Sequence, residues 1–186
     1  GRESLTSISI PESVTSIGSL AFSGCDSLTY KTIANAKYLT DAAGTPTVLF
    51  KALDTSITSC DVADTTKVIY YSAFRSCTSL TSITIPSSVT SIGSYAFYDC
   101  DNLTTIMIPS SVTSIEDSVF YSCGLTTITI PSSVTSIGDY VFGYCHSLAT
   151  ITCNSKNVGT ERIGLDMYFT PTDGEKGTST VSSWQS

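Results

Sequence analysis

Charge is what this sequence has least of. Only 13% of its 186 residues are Asp, Glu, Lys or Arg, about half of the ~25% usual in globular domains. The little charge present is acidic in balance, −7 at pH 7. That argues against phosphate backbones and anionic membrane surfaces, so no nucleic acid partner is expected. Histidine is reduced to His146, and no C-x-x-C pair completes a zinc ligand set; no metal is expected. No apolar run approaches the ~20 residues of a membrane span, so this piece of chain is not expected to insert into one. Paired carboxylates, a glycine-rich phosphate loop and a G-x-S-x-G elbow are all missing, and neither a catalytic activity nor a cofactor is expected. Cys145 and His146 are adjacent, but neighbours in sequence rarely face one another; Cys145 is expected to point inward and His146 to lie in the following turn. The opening "GRESLTSISIPES" has no apolar leader segment and enters a pattern already running. Gly1 reads as an engineered scar residue. The chain is therefore expected to be a piece of a longer protein, with any targeting signal and anchor elsewhere.

Hydroxyls fill the gap left by charge. Ser and Thr make up about a third of the chain, while 41% is hydrophobic, enough to build a core. The same text recurs: "LTSITIPSSVTSIGSYAFYDC" at 80–100 and "LTTITIPSSVTSIGDYVFGYC" at 125–145. Units begin at Leu5, Leu28, Ile57, Leu80, Leu103, Leu125 and Leu148, with spacings of 23, 29, 23, 23, 22 and 23. Repetition at this period indicates a solenoid, in which each unit buries its apolar side only against its neighbours.

Within a unit the first stretch alternates. Ile83 and Ile85 point one way, Ser82 and Thr84 the other, as in a half-buried strand. The Pro that follows ends the strand, because it cannot donate to a ladder. Val89 and Ile92 then dip inward and Gly93 permits a turn. Ala96, Phe97 and Cys100 share one side, the spacing of one or two turns of α- or 3-10 helix. Strands repeated in this way are parallel, joined by right-handed crossovers. In the irregular unit 57–79, Ile57, Cys60 and Val62 fall on the Leu, Ile and Ile positions. Unit 28–56 has six extra residues relative to 23, and "TVLF" (47–50) is expected to form an extra strand in a hairpin ahead of strand 57–62, with Gly44 and Pro46 turning the chain. Phe22, Phe74, Phe97, Phe120 and Phe142 are expected to stack in one column. The polar stretch 154–186 is expected to be an irregular cap or tail, so that 1–186 is a single domain.

"IPSSVTSIGSYAFYDCDNL", with its I-P step, its "SIGxxAFxxC" segment and its 23-residue period, resembles the BspA-like class of leucine-rich repeats over about residues 5–153. The resemblance implies a leucine-rich-repeat solenoid: a right-handed superhelix with one parallel β-sheet and short helical or 3-10 segments on the opposite side. It also implies an extracellular or cell-surface protein of a bacterium or protist, adhering to a host matrix protein, a neighbouring cell or a glycan.

Two surfaces are candidates for partner binding. One is the exposed side of the strands: Ser82, Thr84, Thr105, Met107, Thr127, Thr129, Thr150 and Thr152. Repeat proteins commonly bind partners on such faces; the competing reading is that Thr simply keeps an exposed strand soluble. The other is Tyr95, Tyr98, Tyr121, Tyr140 and Tyr144, off the Phe and Cys core positions. Tyr offers large contact area at low entropy cost, or these rings merely cover the outside of the coils. The cysteines could be a disulfide framework or small buried hydrophobes stacked coil on coil. Stacked side chains point in parallel and seven is an odd count, so they are expected to be reduced and buried. Asn102-Leu103-Thr104 spells a glycosylation sequon, but Leu103 is a core position. A monomeric binding module is expected; a spacer that holds other domains away from a surface is the alternative.

Overall fold

The structure, a computed structural model, describes residues 4–155 and the backbone of three short strands beyond them, 162–164, 167–168 and 177–180. The strands are β1 (Lys31–Ile33), β2 (Ala36–Thr40), β3 (Pro46–Ala52), β4 (Ser59–Asp61), β5 (Val68–Ile69), β6 (Ser82–Thr84), β7 (Ser91–Ile92), β8 (Ser114–Ile115), β9 (Thr127–Ile130), β10 (Ser136–Ile137), β11 (Thr150–Cys153), β12 (Arg162–Gly164), β13 (Met167–Tyr168) and β14 (Gly177–Thr180).

Consecutive coils pair in parallel, but the pairing is spread over two ladders. The first is the L-x-x-I-x-I stretch, where Cys60 lies opposite Ile83 and Ile128 opposite Ile151. The irregular unit is thus in register, with Ile57, Cys60 and Val62 all buried. The second ladder is the Ser-Ile of each T-S-I-G, where Ile69, Ile92, Ile115 and Ile137 follow one another along β5, β7, β8 and β10. It continues through β3 into an antiparallel meander with β2 and β1, making seven strands in all. The extra strand at "TVLF" exists and forms the expected hairpin ahead of 57–62: it pairs antiparallel with β2 across the turn at 41–45, and on its other side it runs parallel to β5. The turn before it is held by Asp41, whose Oδ1 accepts from the backbone N–H of Ala43 and of Thr45. At the other end, β14 pairs antiparallel with β11, so part of the tail closes the edge of the first ladder.

Among the described residues the expected helical segments are not helices. In "GSYAFYDC" the N–H groups alternate in their use. Those of Ala96, Tyr98 and Cys100 close tight turns onto Gly93, Tyr95 and Phe97, while those of Tyr95, Phe97 and Asp99 donate to the carbonyls of Asp117, Val119 and Tyr121 in the next coil. The backbone therefore swings to positive φ at Tyr95 and Asp99, and again at Ser118 and Ser122 and at Tyr140 and Tyr144. A helix would have kept these N–H groups for itself; here they bind coil to coil.

The main core runs through the stack. Phe74, Phe97, Phe120 and Phe142 lie in one column with near-parallel rings, centroids 5.3, 5.6 and 5.8 Å apart. All seven cysteines are buried free thiols. The thiols of Cys100, Cys123 and Cys145 donate to the carbonyls of Phe74, Phe97 and Phe120. The hydroxyls of Ser111, Ser133 and Ser155 likewise reach back to the carbonyls of Val89, Val112 and Val134.

Phe22 is not in that column. Ile10, Cys25 and Leu28, with Ile8, Val14, Ile17 and Phe22, pack instead against Leu39, Val48, Val68 and Tyr70 in a second core. In the meander and its parallel neighbour, residues adjacent in the chain point to opposite faces: Leu49 and Ile69 enter the main core, Val48 and Val68 the second. The first unit thus lies across the outer face of the seven-stranded sheet. Tyr70 ties it there, donating its hydroxyl to the carbonyl of Ser19 and accepting from the N–H of Phe22. The first unit keeps its backbone link to the next, Thr29 N–H donating to the Thr6 carbonyl and Ser9 bridging Thr40 in parallel, while the meander takes its apolar side chains into the second core.

Candidate functional site

The strand face is a shallow hydroxyl surface. Ser82, Thr84, Thr105, Thr127 and Thr129 are exposed, and Thr150 and Thr152 are half-buried. Thr127 stands opposite Thr150, and Thr129 opposite Thr152. The ladder is interrupted in the coil that starts at Leu103. There only Met107 is bridged, to Thr129, and β6 pairs back to β4 alone. Met107 is 82% exposed and borders a depression of about 340 Å³ with Ile106, Ile108, Thr129, Pro131 and Asn154. These residues offer hydroxyls and one thioether, with no titratable group.

The turn side is different. Tyr98 and Tyr121, one coil apart, stack with centroids at 4.8 Å and planes 3° apart. Tyr121 meets Tyr144 at 5.1 Å, and Tyr144 meets His146 edge-on at 5.8 Å. On the other side Tyr98 meets Tyr95 at 5.6 Å, and Tyr95 meets Tyr71 edge-on at 5.7 Å. The guanidinium of Arg75 sits over the Tyr98 ring, 4.9 Å from its centre. Four of the five tyrosines singled out in the sequence thus form one continuous ribbon. Tyr140, 41% exposed, shares no ring contact with them among the described residues. Partial burial, then the neighbouring Tyr144 and Tyr98 hydroxyls and the Asp99 carboxylate, raise the Tyr121 phenol above its usual range.

Local backbone and the coil period place these rings. Arg75, Tyr98 and Tyr121 follow one another at 23-residue steps, so they stack as equivalent positions. In the next coil that position is Gly143, and Tyr144 stands one residue later, at a positive φ of 57°. A Cβ on Gly143 would lie 2.8 Å from the Tyr121 ring; its absence lets the ring lie down over the last coil, where Tyr144 still reaches it. Sequence reasoning missed Tyr71, Arg75 and His146. The first two could have been found by stepping back one period from Ser94 and Tyr98.

The cysteines offer no site. Burial lifts the Cys60 and Cys145 thiols to about 11 and the Cys77 thiol to about 12, so they stay protonated and non-nucleophilic near neutral pH. Among the described residues no group of three or more His, Cys, Asp or Glu side chains could hold a metal, and no helix is long and apolar enough to cross a membrane. Asn102, of the sequon, donates its side-chain amide to the carbonyl of Thr78 at 2.7 Å.

The repeat profile described as a BspA type leucine rich repeat region, in six copies, matches residues 1–43 and 46–169. No functionally curated protein matches the chain. Among solved structures, a leucine-rich repeat protein from Bacteroides ovatus is 31% identical, aligned over 73% of this chain and 34% of its own, with a TM-score of 0.58. The T. pallidum leucine rich repeat protein TpLRR is also 31% identical, over 63% of this chain and 57% of its own, with a TM-score of 0.57. The pneumococcal vaccine antigen PcpA shares the fold at 21% identity, over 87% of this chain and 44% of its own, with a TM-score of 0.63. This chain therefore spans between about a third and somewhat over half of the relatives it matches. With its parallel coils, its stacked phenylalanines and a repeat match over most of its length, the chain belongs to the BspA-type leucine-rich repeat family.

Proposed function

We propose that this chain is a non-enzymatic binding module of an extracellular or cell-surface protein, engaging a protein or glycan on a host or neighbouring cell. Leucine-rich repeat solenoids act in general as binding scaffolds, presenting extended surfaces rather than catalytic pockets. The observation that carries the reading is the tyrosine ribbon. Tyr95, Tyr98, Tyr121 and Tyr144 form one aromatic strip along the outside of the turns. Tyr is among the residues that dominate binding energy at protein interfaces. One strip of this size supports a modest affinity, on the order of micromolar, with avidity supplied by further repeats or copies.

The test is adhesion of the full-length parent to cells and matrix proteins. Replacing Tyr98, Tyr121 and Tyr144 together should weaken it if the turn side is used. Changing Thr105, Met107, Thr127 and Thr129 to Lys should weaken it if the strand face is used. If neither set matters, the module is a spacer. The strand face itself favours that second reading, since its uniform hydroxyls offer no deep pocket and few strong anchors.

A further inference from the structure

Residues 76–155 contain no Lys and no Arg, but five carboxylates: Asp99, Asp101, Glu116, Asp117 and Asp139. The fold gathers the four nearest the turns on both flanks of the tyrosine ribbon. On one flank, Asp117 and Asp139 occupy equivalent positions in adjacent coils, joined by the Asp139 N–H donating to Asp117 Oδ1 at 2.8 Å. Their carbonyls accept from Tyr95 and Ser118, which puts this rank beside Tyr95, with Glu116 next to it in the chain. On the other flank Asp99 follows Tyr98, and its N–H donates to the carbonyl of Tyr121. All are at least partly exposed. The ribbon is thus an aromatic strip in a field of one sign. Among the described residues, the cation seated on it is Arg75, already lying over Tyr98 at 4.9 Å.

We propose that the ribbon and its flanking carboxylates dock a cationic, Arg- or Lys-rich segment of a partner protein. This rests on the reading of the ribbon as a partner surface and adds the chemistry of the partner. A guanidinium can lie over an open tyrosine face, as Arg75 does, and also hydrogen-bond a carboxylate in a bidentate fork. A neutral sugar fits less well. It carries no charge to answer the flanking carboxylates, and the facing sides of Tyr98 and Tyr121, stacked at 4.8 Å, leave edges and carboxylates rather than a broad flat platform. The carboxylates would steer a cationic segment to the strip and fix its register.

The probe is a fluorescently labelled peptide of alternating Arg and Gly, titrated against the whole chain by anisotropy. It should bind, and binding should weaken as salt shortens the reach of the carboxylates. Asp99→Asn, Asp117→Asn and Asp139→Asn combined should weaken it roughly tenfold. This variant keeps the Asp117 acceptor for Asp139 and touches no core residue, so it reports on charge and not on folding. Tyr98→Ala, Tyr121→Ala and Tyr144→Ala combined should do the same, whereas Thr127→Gln with Thr129→Gln should change nothing. Equal affinity for the Asn variant, or no binding by the parent chain, overturns the proposal. So does self-association that the Tyr substitutions abolish in the absence of peptide binding, which would make a second copy the occupant. If the Tyr substitutions weaken cell adhesion while the peptide fails to bind, only the cationic partner falls. If they leave adhesion untouched, the binding role of the ribbon falls with it.

Discussion

The thiol of Cys123 donates to the backbone carbonyl of Phe97, 2.9 Å away in the preceding coil. That carbonyl also accepts the N–H of Cys100, so the thiol fills its second lone pair. The same bond recurs from Cys145 to Phe120 at 2.9 Å and from Cys100 to Phe74 at 3.2 Å. This explains why Cys, rather than Ala or Val, holds the position: it is small, apolar and still a donor. A thiol-reactive reagent should find almost no groups in the native protein and close to seven after denaturation. Recovery of three or fewer would mean that disulfides hold the coils together.

Burial of these thiols makes the fold sensitive to alkali. Cys60 and Cys145 are lifted to about 11 and Cys77 to about 12, from 9.0; burial lifts Cys123 as well. A folded-state value above the unfolded one means that the unfolded chain loses its protons first as pH rises. The stabilisation is therefore complete below pH ~9 and is lost between ~9 and ~12. Tyr38, raised by burial to about 12, adds to the loss at the upper end. Urea midpoints should be flat from neutral pH to about 8 and fall steeply above 9. A midpoint that holds steady to pH 11 would contradict the buried-thiol picture.

Position in the column decides what a phenylalanine is worth. Phe97 is fully buried between Phe74 and Phe120, and Phe97→Ala should cost ~3–5 kcal/mol. Phe22 has the same sequence context but is only half-buried and lies in the smaller core against Phe50 and Tyr70. Phe22→Ala should cost less than half as much, read by urea denaturation. Equal losses would show that the first unit is as tightly integrated as the central coils.

The contrast between Phe22 and Phe97 marks the limit of what sequence could show. Period and inward spacing identify the strands, the register at Cys60 and Val62, and the phenylalanine column from Phe74 onward. They do not identify the core that the first unit joins, because its local pattern is the same and only the meander at 31–52 takes its apolar side chains into the second core. The turn segment reads as a helix because Ala96, Phe97 and Cys100 have helical spacing. What overrides it is positive φ at Tyr95 and Asp99, which Tyr does not signal and Asp signals only as a mild preference. The second ladder escapes notice because two-residue strands such as Ser91–Ile92 are too short to show alternation. The tyrosine ribbon was half visible: positions off the core could be chosen, but their joining through Gly143 depends on a coil whose spacing slips by one.

Gly143 is where that slip can be tested. Ala at this position would put its Cβ 2.8 and 2.9 Å from two carbons of the Tyr121 ring. The ring cannot simply retreat, because Tyr98 lies against its other side at 4.8 Å. The backbone at Gly143 tolerates Ala, so the strain falls on the ribbon rather than on the fold. Gly143→Ala should therefore cost only about 1–3 kcal/mol, the range for overpacking, yet disturb the tyrosine signal in near-ultraviolet circular dichroism and weaken binding much as Tyr121→Ala does. Gly124→Ala is the control. Its Cβ would fall 2.0 Å from the carbonyl oxygen of Asp101, a clash with backbone at the corner where the unit is one residue short. That variant should lose more stability than Gly143→Ala while its ring signal stays native wherever it remains folded. If Gly143→Ala binds and absorbs like the parent, the continuity of the ribbon has no part in recognition.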